Sequence, residues 1–327
     1  MKINIYGIGR SGTKAIQLYL ATVLAETHVP VRLNYEPYLY NSRLLGTHNH
    51  RAVGFHFQDP HLCADPARLS AAHRHFWKDL TTPGANGEVI ISKCIRANGR
   101  AAAIDALTRP NFSILVVRKL GAVLRSCKSK GFNLHSVGVR FEFSIWSAFE
   151  REIADDPEYR ELAADSQALD TDLYRNAMYW YFANKYALQH ATPDLHVINF
   201  SALSTRLPEI VDAAGLLPHA APPLDKARFE GNLIHSNRLL INEGTADNRW
   251  AYRVNKALFL LSAANWPATA YRPTTVGDRV QLLDDPPAAA RAKRNQSAPP
   301  ALGLTDREHQ FVDALDTRLR QHFPALA

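Results

Sequence analysis

The stretch Met1-Lys2-Ile3-Asn4-Ile5-Tyr6-Gly7-Ile8-Gly9-Arg10-Ser11-Gly12-Thr13-Lys14-Ala15-Ile16 opens the chain and decides its architecture. Ile3, Ile5 and Ile8 with Tyr6 read as a short buried strand. Gly7, Gly9 and Gly12 break it, and Arg10, Ser11, Thr13 and Lys14 crowd the break with hydrogen-bond donors. Ile16, Leu20, Val23 and Leu24 then recur at helical spacing. Strand, glycine-rich turn and helix together make an anion cradle. The first N–H groups of a helix lack intrahelical partners, and the helix dipole favours negative charge beside them. Glycines let the backbone pass close to the ligand.

The commonest phosphate loop, Gly-x4-Gly-Lys-Ser/Thr, fits only in part. Gly7 and Gly12 have its spacing, but Thr13-Lys14 reverses its last pair, and no clear strand ending in an acidic magnesium ligand follows. Gly9-Arg10-Ser11-Gly12-Thr13-Lys14 instead resembles the 5′-phosphosulfate loop of the sulfotransferases that use 3′-phosphoadenosine 5′-phosphosulfate (PAPS). A second stretch, Ile114-Leu115-Val116-Val117-Arg118 through Ser126, resembles the 3′-phosphate element of that family: a buried strand, an arginine at its end and a serine eight residues later. An arginine grips a phosphate through charge-assisted, bidentate bonds, and a serine hydroxyl at the next helix start completes the grip.

The resemblance implies a role for each matching residue. Gly9, Ser11, Gly12, Thr13 and Lys14 would hold the 5′-phosphate. Arg10 would lie against the bridging oxygen and the sulfonate, while Arg118 and Ser126 would take the 3′-phosphate. Arg238, in Phe229-Glu230-Gly231-Asn232 through Arg238, would close over the nucleotide, with Trp250 and Arg253 on the same late segment. There are departures. Gly9 stands where the family often has proline, and Lys119-Leu120 where cytosolic members have Asp-Pro. Lys93-Cys94-Ile95 lacks the histidine of the Lys-x-His catalytic element, and the C-terminal Lys-Gly-x-x-Gly is missing. A carbohydrate- or tyrosylprotein-type enzyme is therefore a better match than the phenol- and steroid-modifying type. With that histidine absent, Glu36 of Glu36-Pro37 is the expected general base, as a glutamate is in comparable carbohydrate enzymes. Its structural alternative is to cap a turn or pair with Arg43; His48, His50 and His56 are rival bases. Lys93 either reaches the substrates or is a solvated strand-end lysine. Tyr38, Tyr40 and the His-rich stretch to His61 are expected to shape the acceptor site.

Elsewhere, buried strands alternate with helices. Strands are expected at 31–35, 88–92, 111–117 and 195–200, and helices over 66–80, 98–107, 122–130, most of 140–190, 207–214 and 248–264. Tyr38 to Pro60 reads as irregular. The order argues an α/β fold: a P-loop-like, doubly wound parallel sheet flanked by helices. This domain is expected over 1–272. Residues 273–327 read as a Pro/Ala-rich arm and a terminal amphipathic helix. That helix is opened by the capping box Thr305-Asp306-Arg307-Glu308, with Phe311, Leu315 and Leu319 on the face that docks.

Composition bounds the rest. The chain has 327 residues, 46% hydrophobic and 21% charged, as in ordinary globular proteins. No apolar run reaches ~18 residues, so no transmembrane helix is expected, although surface association with a membrane stays open. The start does not read as a secretory signal. Cys63, Cys94 and Cys127 are few and scattered, which argues for a reducing, cytoplasmic setting and against a disulfide framework or zinc site. No metal is expected in the reaction. A net charge of +7 favours anionic ligands, but the basic residues are spread along the chain, so nucleic acid is not singled out. The expected activity is sulfonate transfer from PAPS to the hydroxyl of a saccharide, lipid or peptide. The alternatives are a P-loop kinase using ATP or GTP and a non-catalytic binder of anionic ligands.

Overall fold

The computed structural model describes residues 1–42, 47–83, 87–138, 143–164, 169–224, 240–241, 278–279, 281–282 and 301–326. Five parallel strands form its centre: β1 (Lys2–Tyr6), β2 (Val31–Tyr35), β3 (Val89–Cys94), β4 (Phe112–Val117) and β5 (Leu195–Asn199). They lie side by side in the order β2-β3-β1-β4-β5. Asp278–Arg279 adds an antiparallel edge beside Leu33 and Arg32 of β2. That edge strand comes from the segment expected to form the arm.

Alternation along the strands sends side chains to two cores. Ile3 and Ile5 of β1, Ile91 of β3 and Ile114 and Val116 of β4 face helices α1 (Thr13–Glu26) and α8 (Leu203–Ala213). Tyr6, Cys94, Leu115 and Val117 face the opposite side. That side is covered by α4 (Leu120–Lys128), α5 (Trp146–Ile153), α7 (Thr171–Gln189) and α9 (Asp306–His322). Both faces of the sheet are thus helix-covered, as parallel strands require. On the second side α2 (Ala71–Leu80) and α3 (Ala101–Thr108) pack on each other, and α6 (Pro157–Ala164) follows α5.

The middle of α7 is core: Met178, Trp180 and Tyr181 are fully buried. At the terminal helix Thr305 and Glu308 form a reciprocal capping box. Phe311, Leu315 and Leu319 are buried, and Arg318 pairs with Glu158 at 3.3 Å and Glu161 at 2.8 Å. The helix therefore docks on α4 and α7 as its apolar face requires.

Several boundaries differ from expectation. The helix expected over 66–80 is a 3-10 turn, Pro66–Arg68, followed by α2, because Ser70 breaks the run and accepts from His73 N–H as an N-cap. The region 38–60 is less irregular than its composition suggests, with short helices His50–Val53 and Phe55–Gln58. Helix α4 begins at Leu120, directly after β4, and α8 begins at Leu203 and carries Pro208 inside it. The helix expected over 248–264 lies outside the described residues.

A buried polar knot fixes β1 beneath its loop. Asn4 Nδ2 donates to Asp105 Oδ1 at 2.8 Å and to Thr108 Oγ1 at 2.9 Å, and the Tyr6 hydroxyl donates to Asp105 Oδ1 at 2.6 Å. Burial pushes the Asp105 carboxyl up despite those bonds. Gly7 then passes β4 so closely that a Cβ there would lie 2.5 Å from Thr13 Cγ2 and 2.8 Å from Val116 Cγ1. Replacing Gly7 by Ala is expected to destabilise the fold by about 1–3 kcal/mol, the usual cost of overpacking. A urea melt reads this, and an unchanged midpoint would contradict the close approach.

Candidate functional site

The site lies at the carboxyl ends of the strands. The sheet order reverses around β1, whose chain leaves toward β2, while that of β4 leaves toward β5. The crevice between β1 and β4 is a topological switch point, the position where open α/β sheets bind ligands. The loop 7–13 closes one side of it and Arg118 begins the other.

Both sequence motifs meet there. Arg118 Nη1 donates to the Arg10 carbonyl at 2.9 Å, and Arg10 Nε donates to Ser126 Oγ at 2.8 Å. The guanidinium of Arg118 lies 4.5 Å from the centre of the Phe200 ring, a cation–π contact that orients it. Ser126 is not at a helix start, as expected from its motif, but in the last turn of α4. The helix begins early, at Leu120, and carries the hydroxyl round to Arg10.

The loop backbone is special. Gly12 has φ +95°, and a Cβ there would lie 2.6 Å from Phe200. Arg10 has φ +73°, in the left-handed region that non-glycine residues rarely enter. Glu36 is also left-handed, at φ +47°. Such conformations cost about 1–3 kcal/mol and gather at functional sites. Ser11 is fully buried, and its hydroxyl has no hydrogen-bond partner among the described residues.

Charge at the crevice is one-sided. Burial lowers the Arg118 pKa, and the nearby guanidiniums of Arg10 and Arg125 lower it further. Among the described residues none of these three arginines has a carboxylate ion-pair partner. Like charges held together beside a helix N-terminus are stabilised by an anion. Arg125 had not been singled out from the sequence, although it directly precedes Ser126.

Glu36 lies two strands away, past Lys93. Tyr35 of β2 pairs in register with Lys93 of β3, and the Glu36 N–H donates to the Lys93 carbonyl at 2.8 Å, carrying the pairing one residue further. This brings the two side chains together as an ion pair. Lys93 is only 1% exposed and lies 3.9 Å from the centre of the Tyr35 ring, so it is not a solvated strand-end lysine. Buried polar links hold the frame: Asn34 Nδ2 donates to Ser92 Oγ at 2.8 Å, and Gln17 Nε2 to the Ile91 carbonyl at 2.9 Å.

Beyond Glu36 a narrow recess opens, with Tyr38, Leu39, Val53, Ile95 and Val137 among its walls and Glu36, His56 and Arg96 as its polar groups. Arg96 is buried and donates from Nε and Nη2 to the Ser136 carbonyl, at 3.0 and 2.7 Å. It was missed in the sequence, although a basic residue three places after Lys93, past a strand end, was the available signal. Behind the recess Tyr38 is buried. Its hydroxyl lies 2.6 Å from His73 Nε2, and His73 Nδ1 lies 2.9 Å from Asp59 Oδ2. Of the rival bases, His56 is described and lines the recess; the side chains of His48 and His50 lie outside the described residues. So do Arg43, Arg238, Trp250 and Arg253.

No group of His, Cys, Asp and Glu among the described residues could hold a metal ion. Cys63, Cys94 and Cys127 are buried free thiols. No helix among the described residues is long and apolar enough to cross a membrane. Comparison with protein-family models, curated proteins and solved structures found no match.

Three buried histidines make this region acid-sensitive. Burial, reinforced by the Arg100 charge, holds His56 and His61 well below the ordinary value. It brings His73 to about 4, although the Asp59 hydrogen bond opposes the shift. Unfolded histidine takes its proton near pH ~6.5. Between that pH and about 4 the unfolded chain therefore binds more protons than the folded one, and stability falls as pH falls. Tm is expected to drop steadily from pH 7 to pH 4.5; a constant Tm would contradict the neutral buried imidazoles.

Proposed function

We propose that the chain is a sulfotransferase with a P-loop-like nucleotide site, moving the sulfonate of PAPS to an acceptor hydroxyl. The observation that carries this reading is the convergence of Arg10, Arg118 and Ser126, from two motifs far apart in the chain, on one positively charged switch-point crevice. A donor with separate 5′ and 3′ phosphate groups matches two anion grips side by side. The Ser11 hydroxyl, buried and without a partner among the described residues, and the start of α1 suit the 5′ end, and Arg118, oriented by Phe200, suits the 3′-phosphate.

The chemistry follows from the roles. The acceptor O–H gives its proton to the Glu36 carboxylate, and its oxygen attacks sulfur. The bond from sulfur to the bridging oxygen breaks, its electron pair stays on the leaving phosphate, and the Arg10 guanidinium stabilises that charge. The products are a sulfate ester and adenosine 3′,5′-bisphosphate. Lys93 orients Glu36 through their ion pair. Strands lie about 4.8 Å apart, so the end of β2 is roughly 10 Å from that of β1. The proposed reaction sets the sulfonate and the acceptor oxygen in that span, between Glu36 and Arg10. No step calls for a metal.

Adenosine 3′,5′-bisphosphate is expected to raise Tm, and ATP with magnesium is not; the reverse result would favour a kinase. Arg10→Ala should lower kcat about 10²–10³-fold, as the loss of one charge-stabilising donor does. Glu36→Gln should lower it about 10²–10⁴-fold, the range of general-base catalysis. Both are measured by sulfonate transfer from labelled PAPS. Unchanged turnover in Glu36→Gln would remove the glutamate from the mechanism.

A further inference from the structure

Arg125 stands in the last turn of α4, next to the serine that meets Arg10. It is exposed, whereas Arg10, Arg118 and Ser126 are half-buried. Burial, then Arg10, then Arg125 lower the Arg118 pKa, so the Arg125 charge lies near that of Arg118. Among the described residues Arg125 has no ion-pair partner. Its own segment cannot supply one, since no Asp or Glu occurs between Asp105 and Glu142. A cation in the last turn of a helix is favourable by itself. Lys128 already stands in that turn, tied to the Leu302 carbonyl. The helix dipole alone therefore does not call for a second cation placed against Arg118.

The charge of the proposed ligand gives Arg125 a use. A phosphate monoester carries about −1.5 to −2 charges at neutral pH. Arg118 brings a single positive charge and spends Nη1 on the Arg10 carbonyl, while Ser126 is neutral. Arg10 touches Ser126, but the transfer needs its charge at the sulfonate, toward the other end of the donor. The 3′ end is then short of positive charge in a half-buried crevice, where an uncompensated anion is costly. Arg125 adjoins Ser126 along the chain and Arg118 through space, and its exposed arm is free of a competing carboxylate among the described residues.

We propose that Arg125 is a further binding residue for the 3′-phosphate of the donor, and that with Arg118 it makes the site select nucleotides phosphorylated on both the 5′ and the 3′ side. This rests on the sulfotransferase reading and deepens its donor site. Arg125 touches no reacting atom; it sets the affinity for the donor.

The test titrates the full chain with adenosine 3′,5′-bisphosphate and with adenosine 5′-monophosphate. The variants are Arg125→Ala, Arg125→Gln, which keeps most of the side chain's length without its charge, and Arg125→Lys. Lys78→Ala is the charge control, because Lys78 is exposed and lies with Lys2 at the opposite end of the sheet. Arg125→Ala and Arg125→Gln should each weaken the bisphosphate about tenfold or more, as loss of a charge-assisted hydrogen bond does. The monophosphate should weaken by less than about twofold. Arg125→Lys should recover part of the loss, since the charge stays and the fork goes. Lys78→Ala should leave both affinities as they are. Unchanged bisphosphate affinity in Arg125→Gln, equal losses for the two nucleotides, or the same loss in Lys78→Ala would each overturn the proposal while the donor reading stands. A parent protein that does not prefer the bisphosphate would overturn both together.

Discussion

Arg118 reaches across the crevice to donate to the carbonyl of Arg10 at 2.9 Å, and the candidate site depends on that bond. It joins the loop after β1 to the end of β4 and braces Arg10 in its left-handed conformation. The braced backbone aims the Arg10 side chain at Ser126, so two distant segments share one geometry. The cost is electrostatic. Guanidiniums gather without a carboxylate partner among the described residues, and an arginine cannot shed its charge as a lysine can. Like charges held together in that way are stabilised by a nearby anion.

The second half of the site obeys the opposite rule. Lys93 and Glu36 are mutually compensated, and both are largely withdrawn from water. Removing either partner of such a pair strands the other charge, so the two are best viewed as one unit. Parallel pairing of β2 with β3 sets their approach, and the Glu36 N–H bond to the Lys93 carbonyl extends it past the strand end. One-sided charge at β1 and β4 beside a neutralised pair at β2 and β3 gives the sheet edge two kinds of surface.

Much of this was legible in the sequence because it is local. Ile3 and Ile5 alternate, Gly7 and Gly12 sit where the backbone must crowd or turn left-handed, and Phe112 to Val117 form a fully buried run. Thr305 and Glu308 announce a helix start by their spacing alone. The Lys93–Glu36 pair was not legible, since strand register brings together residues that no local pattern links. Arg96 and Arg125 were hidden for a similar reason, as basic residues next to ones already singled out. The helical pieces in 50–58 were obscured by their polar, His-rich composition. They are held from outside, by Arg100 donating to the carbonyls of Phe55 and Asp59.

The central question is whether Arg118 reads a 3′-phosphate. Isothermal titration of the parent protein and of Arg118→Ala, each with adenosine 3′,5′-bisphosphate and with adenosine 5′-monophosphate, isolates that contact as a double-mutant cycle. The parent is expected to prefer the bisphosphate strongly. Arg118→Ala is expected to lose most of that preference, with a smaller loss for the monophosphate because the brace on the Arg10 carbonyl goes with the side chain. Equal preference in both proteins would contradict that role for Arg118.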